Sequence, residues 1–345
     1  MSEFKSDANH TILITGAAGL IGWNFVNYLL KNTDHNVIGV DAMADWGNHN
    51  PPVDNPRYKF YQLNILSEPD RFDHIVMRHH VNIIYHMASY AAEGLSPFMR
   101  CFNYAQNTMV SAVVINAAIR HYCKLIFTSS MSVYGHGVCQ KSEYKTFSEY
   151  DRPEPIDPYG IAKFGVEQDI KVAGIQHGLE WVIIRPHNVF GIGQNVNDRY
   201  RNVIGIWMHQ AVNGEPLTIY GDGEQERAFT YVDNIMVPLY KAIEVKNEVI
   251  NLGGIVGYTI NEVCDKVMKI TGSKELIHLE ARHEVKRAIP NPAKSISILK
   301  YKDVIDIDEG LKRMWEWVQT ENPVKEWFVW NEFELTNNIY SYWKQ

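Results

Sequence analysis

Residues 11–32 read TILITGAAGLIGWNFVNYLLKN. The first five residues are apolar or β-branched and form a short strand pattern. Three glycines follow at Gly16, Gly19 and Gly22. Beyond them Phe25, Val26, Leu29 and Leu30 recur at helical spacing. A strand, a glycine turn and a helix in that order form the first half of a βαβ unit. Each glycine has a separate task. Gly16 makes the tight turn, Gly19 lets the backbone approach a pyrophosphate, and Gly22 lets the helix pack close to the strand. Leu20 and Ile21 belong to the same turn, where free N–H groups and the positive end of the helix dipole face an anion. The second strand, NVIGVD at 36–41, ends in Asp41. An acid there hydrogen-bonds the ribose hydroxyls of an adenine dinucleotide and repels a 2′-phosphate, so NAD is favoured over NADP. Trp23, directly after Gly22, is expected to pack against a neighbouring helix or a second lobe.

Further short apolar runs stand at 58–65, 82–88, 124–130 and 181–186, with helical patterns between several of them, notably 103–122 and 158–178. Strands that alternate with helices predict an α/β fold with a doubly wound parallel sheet. After residue 186 prolines and glycines become frequent and the elements shorten. Helices are expected at 203–213 and 260–270. FTYVDNIMVPLYKAIE (229–244) and VINLGG (249–254) bring the chain back to the sheet. The expected division is a dinucleotide-binding domain of 1–186 plus 229–255 and a smaller lobe of 187–228 plus 256–345.

The chain has 345 residues, is 46% hydrophobic and carries a net charge of −7. That length supports a large core and a second, smaller one. No basic run points to nucleic acid, and no stretch reaches the eighteen or so apolar residues of a membrane span. The first ten residues are polar and charged and read as a frayed tail, not a signal peptide. Cys101, Cys123, Cys139 and Cys264 show no metal spacing, which fits reduced thiols, a cytoplasmic location and no metal site.

Two stretches carry chemistry. LIFTSSMSVYG (125–135) reads as a buried strand ending in hydroxyls, with no carboxylate among Thr128, Ser129, Ser130, Met131 and Ser132. PYGIAKFGVEQ places Tyr159 and Lys163 four residues apart, on one helix face. An ammonium beside a phenol favours the phenolate, so Tyr159 is expected to work as a general base and acid near neutral pH.

Together G-x-x-G-x-x-G, TSSMSVYG, Y-x-x-x-K, RPHNVFG and GDGEQERAFTYVDN resemble, in order, the extended short-chain dehydrogenases/reductases. More narrowly, the chain is similar to the nucleotide-sugar epimerase/dehydratase family over roughly 11–300. The resemblance implies a Rossmann domain with a smaller C-terminal α/β substrate lobe, and it implies site roles. Ser130 hydrogen-bonds the sugar O4 and Tyr159, and Lys163 the nicotinamide ribose. Asn64 and Ile65 border the adenine, Asn64 replacing the usual acid. Met87, Ala88 and Ser89 line the pyrophosphate and ribose, and Asn107 steadies the cofactor region. Pro186 and His187 lie near the nicotinamide, His187 as a packed residue. Ser132 and Asn188 contact substrate. Asn202 and Val203 open a helix towards its diphosphate, Tyr220 faces the nucleobase, and Arg227 and Arg282 bind the diphosphate. Two positions depart from the family pattern. Ala228 replaces an acid after Arg227, and the spacing around Arg282 is shifted by one residue.

The resemblance also bears on the reaction. The 4,6-dehydratases carry acids at the positions of Met131 and Ser132, the decarboxylases tend to carry a glutamate there, and the 3,5-epimerases have a cysteine at Ser132. With none of these present, the reaction implied is the simplest one, 4-epimerisation of a UDP-hexose. Alternatives stay open: another 4-keto route, a reductase, or a non-catalytic regulator. Glu93, Tyr90, Asp198, Arg199 and Arg201 are expected near the same cleft and are candidates for a different chemistry. Family members dimerise through two long helices, here about 103–122 and 158–178, so a homodimer is expected.

Overall fold

Strand β1 (Thr11–Thr15) has Ile12, Leu13 and Ile14 completely buried, so both of its faces are covered. Continuous burial of this kind belongs to a parallel strand sandwiched between helices. In the computed structural model, which describes residues 9–45, 47, 50–136, 146–320 and 326–344, this strand sits near the middle of a seven-stranded sheet.

The elements follow in chain order. Helix α1 (Leu20–Asn32) leads to β2 (Asn36–Asp41), β3 (Tyr58–Gln62), α2 (Pro69–Arg78) and β4 (Ile83–His86). Next come α3 (Arg100–Tyr104), a π turn at Ala105–Met109, α4 (Val110–Arg120), β5 (Lys124–Thr128), α5 (Pro158–His177) and β6 (Trp181–Pro186). The remainder comprises β7 (Val189–Phe190), α6 (Val203–Asn213), β8 (Leu217–Tyr220), β9 (Glu226–Ala228), β10 (Thr230–Tyr231), α7 (Met236–Lys241) and β11 (Glu248–Leu252). It closes with β12 (Gly257–Thr259), α8 (Ile260–Thr271), β13 (Leu276–Leu279), β14 (Arg287–Ala288), α9 (Ala293–Leu299) and α10 (Ile307–Thr320).

The sheet order is β11-β6-β5-β4-β1-β2-β3, and every pairing in it is parallel. From β1 the chain builds outward through β2 and β3, then returns to β4 on the other side of β1. A crevice opens where the winding reverses, at the carboxyl ends of β1 and β4, and such a crevice is where doubly wound sheets bind ligands. Alternation along each strand feeds two cores. Ile12, Ile14, Ile83, Tyr85, Val182 and Ile184 face a layer containing Phe25, Val26 and Leu29 of α1. Leu13, Ile84, Phe127 and Ile183 face the opposite layer, with Phe72 of α2, Val114 of α4 and Ile170 of α5.

The expected sheet and its strands are present, with β3 ending at Gln62 and β4 at His86, earlier than the apolar runs suggest. The 103–122 helix is composite, with a π turn between α3 and α4. Trp23 packs over the loop at Gly193, where an added Cβ would lie 3.0 Å from the indole, and its Nε1 donates to Pro51 O. The N-terminal tail through residue 8 and Cys139 lie outside the described residues. Among the described residues no helix is long and apolar enough to cross a membrane.

Candidate active site

A cavity of about 420 Å³ occupies the crevice. Its first wall is the glycine turn, where Gly16, Gly19, Leu20, Ile21 and Gly22 all line it. Gly16 has φ +73°, and a Cβ on it would lie 2.8 Å from Ala88 N. A Cβ on Gly22 would meet Gly16 O at 2.1 Å. Helix α1 has no capping side chain and no acid in its first turn, so its leading N–H groups remain available to an anion. At the end of β2 the Asp41 carboxylate accepts from Ala18 N (3.0 Å) and Met43 N (2.9 Å), which aims it across the turn. Asn64, Ile65, Met87, Ala88 and Ser89 continue this wall. The shape and donor set fit a dinucleotide of the NAD type.

Tyr159, Lys163 and Ser130 converge where β5 and α5 meet, and Pro186 and Asn188 stand opposite. The Asp157 carboxylate caps α5 by accepting from Gly160 N at 2.8 Å, which sets the first turn carrying Tyr159. Lys163 is 2% exposed, and its Nζ donates to Thr128 O at 3.0 Å. That contact corrects the expected pairing of ammonium and phenol. Nζ is 5.8 Å from the Tyr159 ring centroid and 4.9 Å from that of Phe127. Burial pulls the Lys163 ammonium down to about 7, with Glu167 opposing. Burial also pushes the Tyr159 phenol above its ordinary range, and the negative charge of Glu93 adds to this, while hydrogen bonds from Ser130 and Ser89 pull it down.

The far end of the cavity is lined by Asn202, Val203, Tyr220, Arg227 and Arg282. The Asn202 side chain accepts from Ile204 N at 3.0 Å and caps α6. Three expected site residues do not line this cavity. His187 is fully buried behind it and is kept neutral by burial and then by Arg185. Asn107 sits inside the π turn and acts at one remove, its Oδ1 accepting from Ser89 Oγ at 2.7 Å. Ser132 faces a neighbouring pocket of about 60 Å³, where its hydroxyl is enclosed without a hydrogen-bond partner.

Glu93 stands at the cleft as the sequence reading expected, and the acids gathered around it go beyond that reading. Glu93 and Glu284 line both cavities, and Asp157 lines the smaller one. Burial, then the Asp157 carboxylate, holds the Glu93 carboxyl up at about 8, against the pull of Arg227 and Arg282. Glu93 has a sequence signal only through its loop; Glu284 has none, because its partner Arg227 is distant along the chain. Behind β5, Ser129 Oγ donates to Glu167 Oε1 (2.6 Å), Glu167 pairs with Arg185 (2.6 Å), and Arg185 Nη1 donates to the Tyr134 hydroxyl (2.7 Å). This buried network fixes the turn that presents Ser130.

Comparison with known proteins agrees with this geometry. The model of the NAD dependent epimerase/dehydratase family matches residues 12–253. The UDP-glucose 4-epimerase of Thermotoga maritima, solved with UDP-glucose, is 30% identical; the match covers 90% of this chain and 98% of that one, with a TM-score of 0.80. The UDP-glucuronic acid 4-epimerase of Bacillus cereus, solved with UDP-glucuronic acid and NAD, is 27% identical and covers 90% and 99%, with a TM-score of 0.79. UDP-glucuronic acid decarboxylase 1 of Danio rerio is 27% identical over 320 residues, covering 90% of this chain and 73% of that protein.

Proposed function

Since the chain belongs to the NAD dependent epimerase/dehydratase family, an enzyme family with NAD as cofactor, we propose that it is a nucleotide-sugar 4-epimerase of the UDP-glucose/UDP-galactose type. Bound NAD would supply the hydride acceptor for the sugar C4 and the donor that returns it. Burial holds the Tyr159 phenol above its ordinary range. The positive charges of bound NAD and Lys163 are required to lower it, so that Tyr159 as phenolate takes the proton from O4 as the 4-keto sugar forms and gives it back after the sugar has turned over. Ser130 holds O4 and relays the proton, and Lys163 secures the ribose. The Asp41 carboxylate and the turn at Gly16–Gly22 receive the other half of the dinucleotide, with Asn64, Ile65 and Met87–Ser89 beside it. Asn188, Asn202, Val203, Tyr220, Arg227 and Arg282 receive the nucleotide sugar. The observation that carries the reading is the stretch SSMSVYG: it lends the cavity that holds Tyr159 only Ser129, Ser130 and Met131, with Ser132 turned to the neighbouring pocket, and none of these is a carboxylic acid able to protonate a leaving group.

A second reading has a specific support. Glu93 lines the cavity, and with its carboxyl held at about 8 it is an acid at neutral pH on a segment outside SSMSVYG. A dehydration through the same 4-keto sugar would use such a group. Proton NMR of the purified protein with UDP-glucose and no added cofactor separates the two. Growth of UDP-galactose to a fixed ratio is expected. A 4-keto-6-deoxy product, abolished by Glu93→Gln, would overturn 4-epimerisation in favour of the second reading. The protein is further proposed to act as a homodimer.

A further inference from the structure

Three arginines face the main cavity. Arg201 Nε lies 2.8 Å from Asp198, and Arg227 Nη2 lies 2.8 Å from Glu284. Arg282 is held in another way. Among the described residues it has no carboxylate in ion-pair reach, and its Nη1 is enclosed without a hydrogen-bond partner. Aromatic rings hold it instead, with the guanidinium carbon 4.0 Å from the Tyr220 ring centroid and 5.7 Å from that of Trp343.

Trp343 comes from the far end of the chain. It is 1% exposed and wedged among Tyr200 (centroids 5.0 Å apart), Tyr340 (5.2 Å) and Phe98 (6.1 Å). The segment leading to it is tied to the start of α3, to Phe98 and to His283. The Glu334 carboxylate accepts from Cys101 N and Phe102 N, Leu335 N donates to Phe98 O, and His283 N donates to the Tyr340 hydroxyl. Tyr342 completes the hold, its ring under the Arg199 guanidinium at 4.7 Å and its carbonyl accepting from Arg199 Nη2.

Stacking has a consequence that an ion pair lacks. A ring face orients a guanidinium without neutralising it, and leaves the N–H edge free for a bidentate oxyanion. We propose that Trp343 is a positioning residue for substrate binding, clamping Arg282 against Tyr220 so that its free edge meets the diphosphate of the nucleotide sugar. This inference rests on the nucleotide-sugar reading of the cavity.

The test compares Trp343→Ala, Trp343→Phe, Arg282→Gln and the double variant. Turnover of UDP-glucose and calorimetric binding of UDP and NAD are measured on each. Loss of one desolvated cation–π contact corresponds to about tenfold in affinity, so Trp343→Ala is expected to raise KM and the UDP Kd by about that factor. Its kcat stays within about threefold and NAD binding is unchanged, while Trp343→Phe stays near the starting protein because a ring face remains. In the Arg282→Gln background the alanine substitution adds less than about twofold, as expected of residues acting through one contact. An unchanged KM, a parallel loss of NAD binding, or an undiminished effect in the Arg282→Gln background would overturn the clamp. Trp343→Leu serves the same comparison if the alanine variant does not fold. UDP binding needs no turnover, so the expected binding pattern without epimerisation keeps the clamp and removes the epimerase reading. Failure of the unsubstituted protein to bind UDP, dTDP, GDP or CDP removes the clamp.

Discussion

Lys163 carries its proton against its surroundings. Its pKa falls to about 7 from the ordinary 10.5 because burial penalises the ammonium more than Glu167 supports it. Between those values the unfolded chain binds a proton that the folded chain does not, so this residue's contribution to stability falls as pH drops from about 10.5 towards about 7. Below that window the full penalty is present. Lys163→Met is therefore expected to be more stable than the parent at pH 6 by roughly 2 kcal/mol or more, with no gain above about pH 10.5, while losing activity. Urea unfolding at the two pH values checks the sign; equal stability at pH 6 would mean that the ammonium is well solvated. The same residue shows what was legible in the sequence. The four-residue spacing placed Tyr159 and Lys163 on one face correctly. It did not show that Nζ would turn to Thr128 O, because that carbonyl's position depends on how β5 packs against α5. His187 and Pro186 are neighbours in sequence, yet only Pro186 reaches the cavity, since adjacent residues of an extended chain point to opposite sides.

At the scale of elements, the strand–turn–helix of residues 11–32 governs the site. The glycines, the apolar strand and the helical spacing were all readable there, because each has a local cause. Gly16 has two constraints at once, its φ of +73° and the close approach of Met87 and Ala88. Gly16→Ala is expected to cost about 1–3 kcal/mol of stability and to abolish tight NAD binding, since relief of the clash moves the loop that borders the same cavity. Thermal unfolding and NAD titration of this variant report the two effects; tight NAD binding with an unshifted melting temperature would place the turn outside the cofactor site. Other elements gave no such signal. The π turn at Ala105–Met109 has a helical sequence, and only tertiary contacts draw Asn107 inward to Ser89. The strands β9, β12 and β14 have three, three and two residues, too few for any period to show.

At the scale of the molecule, the expected division into two lobes is harder to read because the core does not break there. One apolar cluster runs from Ile12 and Phe25 through Phe190 and Trp207 to Val263 and Leu311. The sequence signal for a boundary is the frequent glycines and short elements just after residue 186, and this apolar cluster crosses that point without a break. The surface of α5 is more informative. Its inner face buries Ala162, Val166, Ile170 and Ala173, as a core helix should. Its outer face carries Ile161, 46% exposed, then Gly165 with open space before it, Val172, 46% exposed, and Ile175, 85% exposed. These positions are spaced by four, seven and three residues, so they form one stripe along the helix. The stripe also contains the exposed Gln168, and an otherwise apolar stripe of this kind on a helix already buried on its inner face is normally covered. The proposed homodimer would cover this stripe with a second copy, since Gly165 leaves room for two helices to approach closely and a twofold axis pairs like with like. The expected result in analytical ultracentrifugation is a species of twice the mass of one 39.7 kDa chain. Val172→Glu, which sets two carboxylates against each other across the axis, should return it to a monomer without altering NAD affinity. A monomer before substitution, or a dimer that Val172→Glu leaves intact, would show that the stripe is not the contact between copies.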